Sequence, residues 1–212
     1  MFLPFADLGF SSAHSKKLNE KDLDEGVCNG TYAAIKFVLN FVMIGIVILS
    51  ILIQKFLNYQ FESKIIELVI YLYILRYFFY NINKIFHGIF NARLEVAKKV
   101  LPNTISRFIM MLIKCTIAIF FYESLGIEYL IGAEIFSAFV LTLLFFYLIK
   151  SIKFKKPSWE YLKIYSKFAI PVIFLGLVVS INNSADKIFL QYFIGSESVG
   201  IYVIAERLAF FF

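Results

Sequence analysis

The chain has 212 residues, 60% of them hydrophobic and 19% aromatic, with a mean hydropathy of +0.78. A soluble domain is about half apolar, and no core of this size could hide the excess, so an ordinary soluble fold is excluded. The net charge of +6 would suit nucleic acid in a soluble protein. No aromatic-interleaved basic motif appears, however, and the positive bias of membrane connectors accounts for the charge, leaving the lipid bilayer as the partner and nucleic acid as none.

Residues 1–10 lack the basic start and small-residue cleavage site of a secretory signal; they read as the last turns of a span. Residues 11–36 form a polar connector of mixed charge, with a short helix expected at 21–26. Full spans are predicted over Phe37–Gln54 (starting as early as Thr31), Ile65–Phe86, Ile105–Tyr122, Tyr129–Ile149 and Phe168–Phe193, and another begins near Val199. Each comes near the ~20 residues a spanning helix needs. The runs are too long for strands and lack their period of two, and helices satisfy the backbone groups that lipid cannot. Pro102 and Pro171 are expected in first turns, where a missing N–H is harmless. The fold class is all-α, a polytopic transmembrane helix bundle. Segment 158–167 leaves two readings open. It is a short interfacial helix capped by Ser158, with Trp159, Leu162 and Tyr165 at helical spacing, or it is an extension of the next span.

The connectors alternate in charge. Segments 11–36, 82–107 and 150–167 hold fifteen of the 21 Lys and Arg residues. Segments 55–64, 122–128 and 194–198 hold only Lys55 and Lys64, with Glu62, Glu123, Glu128 and Glu197. The three basic loops are therefore expected in the cytoplasm, at a multi-pass cell membrane.

Soluble-enzyme signatures are absent: there is no phosphate-binding glycine loop, no HExxH and no cofactor or metal motif. Cys28, placed in a connector, and Cys115, in a span, form no CxxC. His14 and His87 fall on different connectors, and His87 reads as interfacial rather than as a ligand. Asn29-Gly30-Thr31 matches a glycosylation sequon, but this topology turns it to the cytoplasm, as a turn leading into a helix.

The informative polar residues lie inside spans, where charge is expensive and faces protein or water. Tyr73, Arg76, Tyr80 and Asn83 share one stripe; Asn103, Arg107, Met110 and Lys114 share another. Two deep bases, Arg76 and Lys114, point to a cationic, wet cavity for an anionic, phosphate-bearing headgroup, or to an ion pair with Glu134. Asp186 lies four residues from Asn182, and Lys187 four from Asn183, so each pair can meet on a helix. Asp186 is read as an ion-coupling or proton site, or as an interhelical anchor supported by Asn182. The partners of Glu206 and Arg207 are expected beyond residue 212.

Ala6-Asp7-Leu8-Gly9-Phe10 resembles the end of the second span of the Wzx-type polysaccharide flippases, the O-antigen and teichoic-acid exporters of the MOP superfamily. Phe168-Ala169-Ile170-Pro171 resembles the start of that family's seventh span. Asp186 to Gly195, then Val199-Gly200-Ile201-Tyr202 and Ala205-Glu206-Arg207-Leu208, resembles its seventh-to-eighth hairpin. The resemblance implies a partial two-lobed transporter, truncated at both ends. Residues 1–150 would be the remainder of the first lobe, 151–167 a cytoplasmic inter-lobe linker, and 168–212 the first hairpin of the second lobe. It also implies flipping of a polyprenyl-linked oligosaccharide by alternating access, without enzymatic chemistry, beside polysaccharide-assembly proteins. Arg76, Arg107 and Lys114 would then neutralise the pyrophosphate. The alternatives are a multidrug or metabolite exporter of the same superfamily, disfavoured by the basic stripe, and a non-functional remnant of a split gene. A membrane glycosyltransferase would need a catalytic carboxylate on an outer loop, and these loops are too short to hold one.

Overall fold

The computed structural model describes residues 9–20, 23–57, 64–120 and 126–209. Among them are seven α-helices and no strand: α1 (Phe10–Leu18), α2 (Glu25–Phe56), α3 (Lys64–Ala92), α4 (Val96–Phe120), α5 (Ile127–Leu148), α6 (Trp159–Phe193) and α7 (Ser196–Ala209), with a single 3₁₀ turn at Ile149–Ser151 after α5. Among the described residues four stretches are long and apolar enough to cross a membrane, Glu25–Phe56, Ile65–Ala92, Val96–Phe120 and Ile127–Leu148; the expected span Phe168–Phe193 is helical but is not one of them. The protein is an all-helical membrane protein.

The helices run longer than the spans expected from apolar residues alone, because polar ends continue the same coil outside the apolar stretch. α2 begins at Glu25, where the Asp24 side chain accepts from the Val27 N–H at 3.0 Å and caps it. Asn29-Gly30-Thr31 and Cys28 thus lie inside a helix rather than in a connector, and Cys28 is buried. The short helix is displaced as well. One forms at Phe10–Leu18; of the expected 21–26, Asp24 caps α2 and Glu25 and Gly26 begin it, while Lys21 and Asp22 lie outside the described residues, as do Ala6 to Leu8, Glu62 and Glu123. Pro102 and Pro171 sit inside α4 and α6, past the first turn. The extension reading holds for 158–167: from Trp159 the coil runs unbroken through 35 residues. Ser158 occupies the cap position without a side-chain cap bond; its N–H instead donates to Thr31 Oγ1 at 3.1 Å.

The core gathers at one end of the bundle. Ala13 of α1, Tyr32 of α2, Ile89 and Phe90 of α3, Phe145 of α5, and Tyr165 and Ala169 of α6 are fully buried together. Toward the other end α2 exposes Phe41, Leu49, Leu52 and Phe56, as a lipid-facing helix must. Within the spans, polar pairs tie neighbours. Asn81 donates to Asn40 Oδ1 at 2.9 Å, linking α3 to α2. Ser106 and Ser137 exchange bonds with each other's carbonyls at 2.9 Å, drawing α4 against α5. Thr142 donates to Asn83 Oδ1, and Asn83 to the Ala138 carbonyl. Small and amide side chains of this kind let spans approach closely where lipid supplies no hydrophobic drive.

The segment after α5 is strapped onto the start of α2. The Lys155 N–H donates to the Gly26 carbonyl at 2.9 Å, Asn29 donates to the Lys153 carbonyl at 3.2 Å, and the Tyr161 hydroxyl accepts from the Asp24 N–H at 3.1 Å. Lys155 Nζ closes on Asp24 Oδ2 at 2.7 Å. That ammonium, with the Val27 N–H, holds the Asp24 carboxyl below the usual carboxylate range. The approach is so close that a Cβ on Gly30 would lie 1.9 Å from the Lys155 carbonyl oxygen, which explains glycine there.

Candidate anion cavity

α1, α3 and the first half of α4 enclose a cavity of about 820 Å³. Its walls carry Lys84 and His87 of α3, Lys99, Asn103 and Arg107 of α4, and the hydroxyls of Ser11, Ser12 and Ser15 of α1. No carboxylate lines it among the described residues, and none of the three bases is ion-paired there. Lys99 Nζ rests on Asn91 Oδ1 at 3.1 Å, and Lys84 Nζ sits 5.1 Å over the Tyr80 ring. Asn103 donates to His87 Nε2 at 3.0 Å, so a neutral His87 carries its proton on Nδ1. His87 is half-buried behind this wall, its ring edge-on to Phe145. Three cations, amides and hydroxyls without a competing acid form a pocket that attracts a multivalent oxyanion.

The expected site residues divide. Arg107 lines the cavity. Arg76 and Lys114 do not; they meet at Glu134 of α5. Lys114 Nζ lies 2.7 Å from Glu134 Oε1, and Arg76 Nε reaches its Oε2. The Arg76 guanidinium also stacks near Tyr73 and Tyr77, at 5.6 and 5.7 Å. One carboxylate thus joins two bases from two other spans. Of the two arrangements expected at Arg76 and Lys114, the structure has the ion pair with Glu134; the basic cavity lies elsewhere, at Lys84, Lys99 and Arg107. Asp186 accepts from the Tyr202 hydroxyl at 3.1 Å and joins α6 to α7, while Asn182 is exposed. Lys187 pairs with Glu206 at 2.8 Å, so Glu206 finds its partner within the chain rather than beyond it.

Sequence reasoning passed over Lys84, Lys99 and the α1 serines. In the sequence Lys84 and Lys99 stand out only as connector charges, and the polar stretch that forms α1 resembles a loop. The available signal was the spacing of Lys99, Asn103 and Arg107 by fours, which extends the α4 stripe one turn further back.

Beside the cavity, α1 is held by an aromatic stack. The His14 ring lies parallel to Tyr32 with centroids 4.2 Å apart, and its Nδ1 bonds the Tyr165 hydroxyl at 2.8 Å. Burial pushes the His14 pKa down to about 3. The Tyr32 hydroxyl meets Ser11 Oγ at 2.9 Å and passes over Gly88, where a Cβ would come within 2.2 Å of it. Ser11 is thereby fixed at the cavity wall.

A family model described as polysaccharide biosynthesis protein matches residues 1–211. No curated protein matches, and no solved structure matches.

Proposed function

Because the chain belongs to the polysaccharide biosynthesis protein family, that of the Wzx-type flippases of the MOP superfamily, we propose that it moves a polyprenyl-linked oligosaccharide across the cytoplasmic membrane by alternating access. The observation that carries this reading is the acid-free cavity of Lys84, Lys99 and Arg107. It lies among the lysine-rich helix ends, which positive-inside bias assigns to the cytoplasm. There it would receive a lipid pyrophosphate from the inner leaflet.

The chemistry fits the cargo. A pyrophosphate offers several charged oxygens, and three bases with Asn103 and the α1 serines supply donors from three directions. Arg76 and Lys114 lie deeper and take over the anion in this reading, with Glu134 as the counter-ion they leave. Asp186 serves as the anchor of the α6–α7 hairpin. Residues 1–150 form the first-lobe body, 151–167 the cytoplasmic linker and 168–212 the opening hairpin of the second lobe. An exporter of cationic drugs would need an acidic wall, and this cavity has none among the described residues.

Binding tests the proposal directly. The chain, purified in detergent, is titrated with undecaprenyl-pyrophosphate oligosaccharide and with the corresponding lipid lacking phosphate. The phosphorylated lipid should bind at least about tenfold more tightly, each lost charge-assisted contact being worth about 1.5–3 kcal/mol. K84Q/K99Q/R107Q should remove that difference while leaving helix content unchanged. Equal affinity for both lipids would remove the cavity from the function.

A further inference from the structure

From the strap and the first turns of α6, we infer that this surface is a docking site for anionic lipid headgroups, separate from the anion cavity. Segment 150–167 holds six lysines against one carboxylate, Glu160. Of the six, Lys155 alone is ion-paired among the described residues. The backbone of 153–158 is fixed to α2 through Gly26, Asn29 and Thr31. That anchoring turns Lys153, Phe154 and Lys156 outward, all of them exposed. The surface is held in place before any ligand arrives.

The start of α6 completes it. Leu162, Tyr165, Phe168 and Ala169 pack into the core, so the opposite face must look outward. That face carries Trp159, Lys163 and Lys167 at intervals of four, all exposed, with Trp159 69% exposed. Beyond Lys167 the exposed side chains become apolar, at Ile170 and Phe174. An aromatic ring and bases on one exposed face, ahead of two apolar turns, are the residue types found at a headgroup layer. The strap follows directly on α5, one of the four candidate spans, so these lysines lie next to a membrane-crossing helix end. Clustered lysines beside a span attract acidic headgroups, and exposed aromatic rings settle at the same depth. Charge complementarity selects phosphatidylglycerol or another acidic lipid over a zwitterionic one.

The inference rests on the membrane reading above but not on the cargo, and its test contains no cargo. Trp159 is the chain's single tryptophan, so its fluorescence reports this surface alone. The chain is reconstituted into phosphatidylcholine vesicles and titrated with nitroxide-bearing phosphatidylglycerol or phosphatidylcholine, the nitroxide placed near the headgroup. Half-quenching should need about tenfold less of the acidic lipid, since each lysine near a charged surface contributes about a fivefold preference. High salt should erase most of the difference. K156Q/K163Q/K167Q should abolish it, and K156R/K163R/K167R should retain it, which separates lost charge from lost folding. Equal quenching by both lipids would overturn the inference and assign the patch to an acidic protein partner. So would a preference that survives in the glutamine variant.

Discussion

His14 shows how one side chain can make the bundle sensitive to acid. Buried against Tyr32 and Tyr165, its imidazole stays neutral down to about pH 3, while in the unfolded chain it protonates near 6.5. Above 6.5 both states are neutral and no penalty exists. As pH falls below 6.5 the unfolded state gains a proton that the folded state refuses, and stability drops until the folded group titrates near 3. At pH 5 the loss should be about 2 kcal/mol. Unfolding midpoints in detergent from pH 7.5 to 4 should show this slope, and H14F, which keeps the stack without titrating, should flatten it. Glu134 poses the opposite case, a carboxylate whose removal strands two bases. E134Q should destabilise the bundle by about 2 kcal/mol, less than the cost of breaking a fully buried pair because the trio is partly exposed. Adding R76Q and K114Q should return most of that loss in the same assay. The sequence exposed Glu134 as a partner because an acid inside an apolar run needs a base within reach. It gave no such sign for His14, which sits in a polar stretch among serines and lysines. Its burial arises only when α2 and α6 close over it.

At the scale of elements, the apolar runs revealed that the helices exist and roughly where they cross. Their true ends stayed hidden, because residues such as Glu25 or Trp159 continue a coil without continuing its hydropathy. The α3–α4 turn was equally silent: Leu94 adopts a left-handed φ of 59° there, a conformation usually signalled by glycine. Gly30 is the reverse, a glycine inside a helix whose reason lies in a strap more than a hundred residues away. G30A should lift that strap, at about 1–3 kcal/mol for a contact that cannot relax into open space. Limited trypsin digestion should then cut at Lys153 or Lys155 at protease levels that leave the parent chain intact; unchanged resistance would show that the strap yields without cost.

For the whole molecule, the alternation of lysine-rich and lysine-poor connectors was legible throughout, since it depends on composition rather than contacts. The anion cavity was only half legible. Arg107 was found from its place on a polar stripe, but the cavity needs α1 to fold under α3, which no periodicity announces. Topology is open to direct measurement. Cysteines introduced as K98C and K156C, in a background with Cys115 replaced, should react with an impermeant maleimide only after cells are permeabilised. Labelling of either in intact cells would invert the orientation.

Asp24 and Lys155 stand 131 residues apart, yet they clasp the same few ångströms of chain. During synthesis the head of α2 therefore waits, unclasped, while three further helices are threaded into the membrane behind it. Only when the ribosome has delivered the tail of that stretch can the knot be drawn tight. A nascent chain halted short of residue 155 would carry Gly26 and Asn29 bare at the bilayer surface, a mark by which quality-control proteases could tell unfinished copies from finished ones.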